Sequence, residues 1–288
     1  MLQVARLAPI ALGEATENVR SFIRSRIHDS GGFVGRDDRP DLYYSVFGLD
    51  CMVALSEGIP DDLFRDFLDR QGDERPQGLI DLSSLARCWS AIRPRGVPAP
   101  IACPLENSLL SLRGSDGGFR ASLDDAKSSI YATFLAAGAL QDLGRPVPDT
   151  GAIIDFVQTC VTADGGIGND EDAPIPMTPI TSAGITLIRH FGGTVDRKTI
   201  DWLLGCAHPD GGFLAGPDTP IPDLLSTATA LHALAGEDVS LEKLRELCLD
   251  YVDTLWTKQG SFFGHWADTH LDCEYTFYGL LALGHLQP

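Results

Sequence analysis

Apolar residues return at helical spacing throughout the 288-residue chain, in pairs of unlike segments. The first member of each pair is amphipathic. Between Glu14 and Ile27, for example, Val19, Phe22, Ile23 and Ile27 share one helical face. The second member is small and apolar nearly all round, as in SSIYATFLAAGAL, ITSAGITLI and LLSTATALHAL. Small residues let helices approach closely, and a helix with no polar face is buried on all sides. The pattern predicts outer helices over Glu14–Ile27, Asp61–Leu68, a segment from Leu105, Thr150–Val161, Lys198–Ala207 and Leu241–Trp256. It predicts inner helices over Tyr43–Leu55, Asp81–Ile92, Ser129–Leu140, Pro179–His190, Asp223–Ala235 and Asp272–Leu286. The proline-rich run from Arg93 to Pro104 reads as a long connection, and no alternating pattern predicts strands.

A glycine-aromatic turn separates the members of most pairs. GGF starts at Gly31, Gly117 and Gly211, with close copies at Gly165 (GGI) and Gly260 (GSF). The period lies in the forties, and the interval from Gly31 to Gly117 covers two of them. The second unit is therefore degenerate, with the loop GDERPQG in place of the motif. Asp41, Asp81, Asp223 and Asp272 stand at inner-helix starts, where a carboxylate caps free backbone N–H groups. Six stacked pairs closing on themselves make an all-α, α6–α6 toroid with a central apolar cavity, a single domain over 1–288.

Composition narrows the function. An apolar share of 44% is ordinary, but the net charge of −18 excludes phosphate-led nucleic-acid binding and disfavours an anionic membrane surface. No run of apolar residues is long enough to span a bilayer. The N-terminus, with Arg6 and Pro9 inside its short apolar stretch, lacks the form of a signal peptide. Seven scattered cysteines without a CxxC pair suggest reduced, mostly buried thiols in a cytoplasmic protein.

The stretch GGFVGRDDRPDLYYSVFGL, Gly31 to Leu49, resembles the repeat of protein prenyltransferase β subunits and of squalene-hopene and other class II terpene cyclases. The resemblance covers nearly the whole chain. It implies an α/α toroid that takes an isoprenoid or similar hydrophobic small molecule in its cavity. It also implies a possible second subunit or homo-oligomer. Prenyltransferases bind zinc through Asp-x-Cys in the fifth unit and a histidine in the sixth. The matching residues are Asp223, Leu225 and Tyr275, so only the aspartate agrees. Class II cyclases carry Asp-x-Asp-Asp-Thr with the middle aspartate as proton donor. The match in unit six is Asp272-Cys273-Glu274-Tyr275-Thr276, which puts Glu274 on the donor position. The DEDA string at Asp170 lies in a loop and reads as a solvated charge run.

Three readings fit the polar cluster around the sixth loop. In the first, Glu274 donates a proton from a desolvated position and Asp272 supports it. In the second, His265, Asp268, His270 and Cys273 hold a metal. In the third, Asp272 is a helix cap and the rest is packing or solvated surface. Tyr43, Tyr44, Tyr131, Tyr275 and Phe277 are the aromatic candidates for a wall that stabilises a carbocation. Arg36 and Arg39 are candidates for holding a diphosphate. The expectation is an enzyme of acid-initiated cyclisation or isomerisation with no cofactor, zinc or magnesium being the alternative. Zinc-dependent transfer from a prenyl diphosphate and non-catalytic lipid binding are the competing functions.

Overall fold

The computed structural model describes residues 1–37, 39–73, 78–173 and 175–287. Two short N-terminal helices, α1 (Leu2–Ala5) and α2 (Ala8–Leu12), lead through a 3-10 turn into six helix pairs. The outer members are α3 (Thr16–Ser25), α5 (Asp61–Asp73), α7 (Ala99–Ser111), α9 (Thr150–Thr159), α11 (Arg197–Gly205) and α13 (Glu242–Leu255). The inner members are α4 (Leu42–Ala54), α6 (Leu79–Ile92), α8 (Ile130–Asp142), α10 (Thr178–His190), α12 (Leu224–Gly236) and α14 (Cys273–His285). Each inner helix packs on the next, and α14 packs back on α4, so the inner layer closes into a ring. The fold is the predicted α/α toroid. No described helix is long and apolar enough to cross a membrane.

The recurring turn works through one hydroxyl per unit. In unit one the Phe33 N–H donates to Ser45 Oγ at 2.8 Å, and Ser45 Oγ donates to the Asp41 carbonyl at 2.6 Å. In unit three Thr133 accepts from Phe119 N at 2.9 Å and donates to the Ser129 carbonyl at 2.7 Å. In unit five Thr227 accepts from Phe213 N at 2.9 Å and donates to the Asp223 carbonyl at 2.7 Å. In unit four Thr181 accepts from Ile167 N at 3.0 Å. In unit six Thr276 bonds Ser261 Oγ at 2.8 Å and the Asp272 carbonyl at 2.6 Å. All five hydroxyl residues are fully buried. Each ties the turn to the start of its inner helix.

The aromatic of the turn then plugs against a small residue one turn deeper. A methyl group on Gly48 would lie 2.3 Å from the Phe33 ring, and one on Gly279 would lie 2.4 Å from Phe262. Among the described residues the degenerate second unit has no such plug, and the buried Leu85 stands at the equivalent point of α6. The turns also join neighbouring units. Gly31 has φ +86°, and a Cβ there would lie 2.5 Å from the Leu63 carbonyl of α5. Gly260 has φ +88°, and a Cβ there would lie 2.1 Å from the Asn18 carbonyl of α3. The sixth turn thus docks on the first outer helix and closes the outer layer as well.

Four expectations need correction. The run from Arg93 to Pro104 is not a long connection, since α7 already begins at Ala99. Pro98 caps the helix and Pro100 sits in its first turn, where no intrahelical bond is lost, so proline density there mimics a loop even though Pro104 lies inside the helix. Asp81 is not a cap; Gly78 takes that place, and Asp81 sits in the first turn of α6, where the helix dipole favours an acid. The second outer helix continues past Leu68 to Asp73. Short strands also exist: Phe33–Val34 pairs antiparallel with Pro40–Asp41, and Phe213–Leu214 with Pro222–Asp223. They form where the aromatic turn runs beside the Pro-Asp lead of its own helix. The other capping expectations hold, with Asp41, Asp223 and Asp272 accepting from the backbone N–H three residues on.

Replacing Thr227 by valine keeps the shape and removes the oxygen, leaving the Phe213 N–H buried and unpaired. The expected loss is about 1–3 kcal/mol of unfolding free energy. Urea titration of T227V checks it, and an unchanged midpoint would remove the pin from the account of the fold.

Candidate active site

The ring of inner helices encloses a narrow cavity of about 180 Å³. Its upper rim is built by one register position. The second residue after each helix cap lines it: Tyr43, Ile80, Tyr131, Pro179, Leu225 and Glu274, one from each unit. Five of the six are apolar or aromatic, and Glu274 alone is an acid. One turn deeper the wall is Val46 and Phe47 from α4, Phe134 from α8, Ala183 from α10, and Phe277 and Tyr278 from α14, with the hydroxyl residues Ser83, Ser84, Ser182 and Thr229 among them. The Tyr43 and Phe47 rings lie 5.1 Å apart edge to face, and Phe47 meets Tyr278 at 5.6 Å. Such pairs present both ring faces and ring edges to a ligand.

Glu274 is partly buried, and the Tyr43 hydroxyl donates to its Oε1 at 2.7 Å. Burial pushes its carboxyl above the ordinary range, the charge of Asp272 adds to the rise, and Tyr43 and Arg36 pull the other way. A helix N-terminus favours the ionised acid, yet the net direction is up, so desolvation wins. Oε2 accepts no hydrogen bond from a described residue. The arrangement is therefore an acid with one oxygen anchored and the other free toward an apolar space. Burial and the nearby Glu274 charge raise Tyr43 and Tyr131, so neither phenol competes as a proton source.

The remaining candidates divide sharply. Tyr131 and Phe277 line the cavity with Tyr43 and Glu274. Tyr44 and Tyr275 do not. They stand one residue later in the helix, about 100° round, and pack on the turn glycines: a Cβ on Gly35 or Gly264 would strike their rings at 2.2 and 2.5 Å. Asp272 is fully buried outside the cavity wall. Its Oδ1 caps Tyr275 N at 2.9 Å, and its Oδ2 accepts from Arg36 Nε at 3.2 Å. Arg36 therefore bridges the seam between units six and one, with its guanidinium 6.0 Å from the Tyr275 ring centre. Arg39 is exposed, and its N–H donates to Asp37.

The alternative ligand set does not assemble. Asp268 accepts from Gly264 N and His270 N, His265 Nδ1 accepts from Ala267 N, and Cys273 is fully buried. Among the described residues no three His, Cys, Asp or Glu side chains converge to hold a metal ion. The histidine and aspartate contacts shape the sixth loop instead. The DEDA string is exposed, and Lys127 Nζ meets Glu171 at 2.7 Å and also contacts Asp172.

Sequence reasoning missed the floor of the cavity. Arg87 of α6 and Asp142, the last residue of α8, both line it. Arg87 Nη2 donates to the buried Asp50 of α4 at 2.6 Å. Burial pushes the Asp142 carboxyl up to about 6, Arg87 opposes the rise and Asp50 adds to it. The signal was present in the helices themselves. Asp50 in LYYSVFGLDCMVA and Arg87 in LIDLSSLARCWSAI are charges inside buried apolar segments, and a buried charge needs a partner.

The chain belongs to the prenyltransferase alpha-alpha toroid domain family, whose sequence profile matches residues 9–81, 103–174 and 181–287. No curated protein matches the sequence. Among solved structures it is similar to protein geranylgeranyltransferase-I of Candida albicans complexed with GGPP. The TM-score is 0.64 at 17% identity, over 84% of this chain and 83% of that one. It is also similar to the type II terpene cyclase MstE from Scytonema complexed with geranylgeranyl dihydroxybenzoate, at TM-score 0.64 and 11% identity over 97% of each chain. A third is an inactive α-1,6-mannanase variant of Salegentibacter sp. HEL1_6 complexed with α-1,6-mannotriose, at TM-score 0.64 and 12% identity, over 95% and 98%. At these identities the likeness shows the fold alone, and chemistry rests on the cavity.

Two outcomes follow from the electrostatics. Tyr43→Phe removes a hydrogen bond that favours the Glu274 carboxylate, so the Glu274 titration moves further up. Carboxyl infrared spectroscopy across a pH series reads the shift, and a downward shift would contradict the geometry. Asp142 has a folded pKa above its ordinary 3.8. The stability it gives as a neutral acid is complete below 3.8 and lost as pH rises through about 6. Asp142→Asn, which cannot ionise, should therefore gain on the parent by roughly 2–3 kcal/mol across that interval. A constant difference in denaturant midpoints would refute the assignment.

Proposed function

We propose that this protein is an enzyme that takes an isoprenoid or similarly hydrophobic molecule into the cavity and starts its cyclisation or isomerisation by proton transfer. The observation that carries the reading is Glu274: the one acid on an otherwise apolar and aromatic rim, raised by burial and anchored by Tyr43. In the step envisaged, Glu274 Oε2–H protonates an alkene or epoxide of the substrate. Tyr43 keeps its hydrogen bond to Oε1 as the carboxylate forms. The resulting cation sits against Tyr43, Phe47, Phe277 and Tyr278, whose ring faces favour positive charge. Loss of a proton from the cyclised cation completes the reaction, and Glu274 is reprotonated from solvent.

Aliphatic and aromatic side chains make up most of the lining, with hydroxyls at Ser83, Ser84, Ser182, Thr186 and Thr229, which supports a greasy substrate over a glycan that requires many paired polar contacts. The diphosphate-ionising alternative has less support. Arg36 is committed to Asp272, Arg39 faces solvent, and a diphosphate entering the rim would meet Glu274.

Glu274→Gln keeps the shape and the Tyr43 contact but has no acidic proton. Turnover of a polyprenol or polyprenyl epoxide should fall by at least about a hundredfold, with substrate affinity nearly unchanged. Product analysis by mass spectrometry decides it. Full turnover by the variant would end the acid-donor reading, and absence of any product from the parent would favour a lipid-binding role.

A further inference from the structure

The floor of the cavity carries polar groups that the proton chemistry at the rim does not use. Arg87 makes one side-chain hydrogen bond, Nη2 to Asp50, and its other N–H groups have no partner among the described residues. The Asp142 carboxylate lines the same space and accepts no hydrogen bond from them. Higher in the wall, Ser182 Oγ of α10 is buried without a partner. Arg87 and Asp142 are half-buried and Ser182 Oγ is fully buried, so a ligand that pairs with these groups in place of water gains affinity. Asp50 neutralises Arg87, and Asp142 offsets the Met1 amino group that lines the same space, so the floor has no surplus positive charge to draw in a phosphate or diphosphate.

We propose that this floor is a head-group subsite in which Arg87 and Asp142 together bind a substrate hydroxyl, Arg87 donating to its oxygen and Asp142 accepting a hydrogen bond from its O–H. The proposal rests on the cavity being the substrate site. Glu274 is the second residue of α14 and Asp142 the thirteenth of α8, on helices that start from equivalent turns. At 1.5 Å per residue the two lie roughly 16 Å apart along the ring axis. The substrate class is then an elongated isoprenoid alcohol, with its hydroxyl at the floor and its reacting alkene or epoxide at the rim.

Binding to the full chain tests this without turnover, by isothermal titration with farnesol, farnesyl methyl ether, farnesene and farnesyl diphosphate. Farnesol should bind at least about tenfold more tightly than farnesene. The methyl ether, which cannot donate to Asp142, should lose most of that margin, and the diphosphate should bind more weakly than the alcohol. In Asp142→Leu the preference for farnesol should vanish while farnesene affinity stays within about threefold. Equal binding of farnesol and farnesene, tighter binding of the diphosphate, a preference retained in D142L, or no binding at all would each overturn the subsite. If D142L does not fold, the ether comparison in the parent decides alone. The two readings fail separately: a farnesol preference without turnover sinks only the acid chemistry, and turnover without the preference sinks only the subsite.

Discussion

A toroid of this kind depends on holding apolar helices by their ends. The inner helices are buried on nearly every side, so no polar flank fixes their rotation. The fixing is done by one buried hydroxyl in five of the six units, which in units one, three and five accepts the N–H of the turn aromatic and donates to the carbonyl of the capping residue. A hydrogen bond is directional where apolar packing is not. The hydroxyl therefore sets the angular phase of the helix, and with it which residues face the axis. That phase puts the second residue after every cap on the cavity rim. The Asp and Thr that frame Glu274 are accordingly scaffold, shared in kind with units that have no acid, and the position between them is free to carry chemistry.

The same constraint explains how the rim and the seam differ. Asp272 and Glu274 are two residues apart, yet one is sealed in a cap with Arg36 across the unit boundary and the other faces the axis. Asp272 has both oxygens engaged, one by the Tyr275 N–H and one by Arg36. Glu274 has one engaged and is raised by burial.

Much of the architecture was legible in the chain. The glycine turns, the caps at Asp41, Asp223 and Asp272, and the alternation of amphipathic with apolar helices all report local physics that needs no partner. Glu274 was legible through its register in the repeat. Tyr44 and Tyr275 were misplaced because a motif treated as a string does not separate neighbours that a helix turns by about 100°; counting from each cap would have separated them. Arg36 was misread because its partner lies 236 positions away, across a closure that sequence order conceals. The proline-rich start of α7 was misread because first-turn prolines and loop prolines look alike in composition.

The pair of Asp50 and Arg87 bears on why the cavity has a polar floor at all. Two charges taken from water in an apolar helix layer are rarely a net gain, and similar-sized apolar residues would often hold the ring as well or better. Stability alone therefore gives no reason for the pair. Its geometry gives one. Asp50 is buried and holds Arg87 by a single nitrogen, which leaves the other guanidinium donors of a residue that lines the cavity without a partner among the described residues. Asp142 stands beside it with no hydrogen bond of its own. A neutralised donor next to an open acceptor selects by hydrogen-bond pattern and offers no surplus positive charge to an anion. In the proposed function the toroid separates two polar roles along one axis, with ionisable chemistry at the caps and recognition at the opposite ends of the same helices.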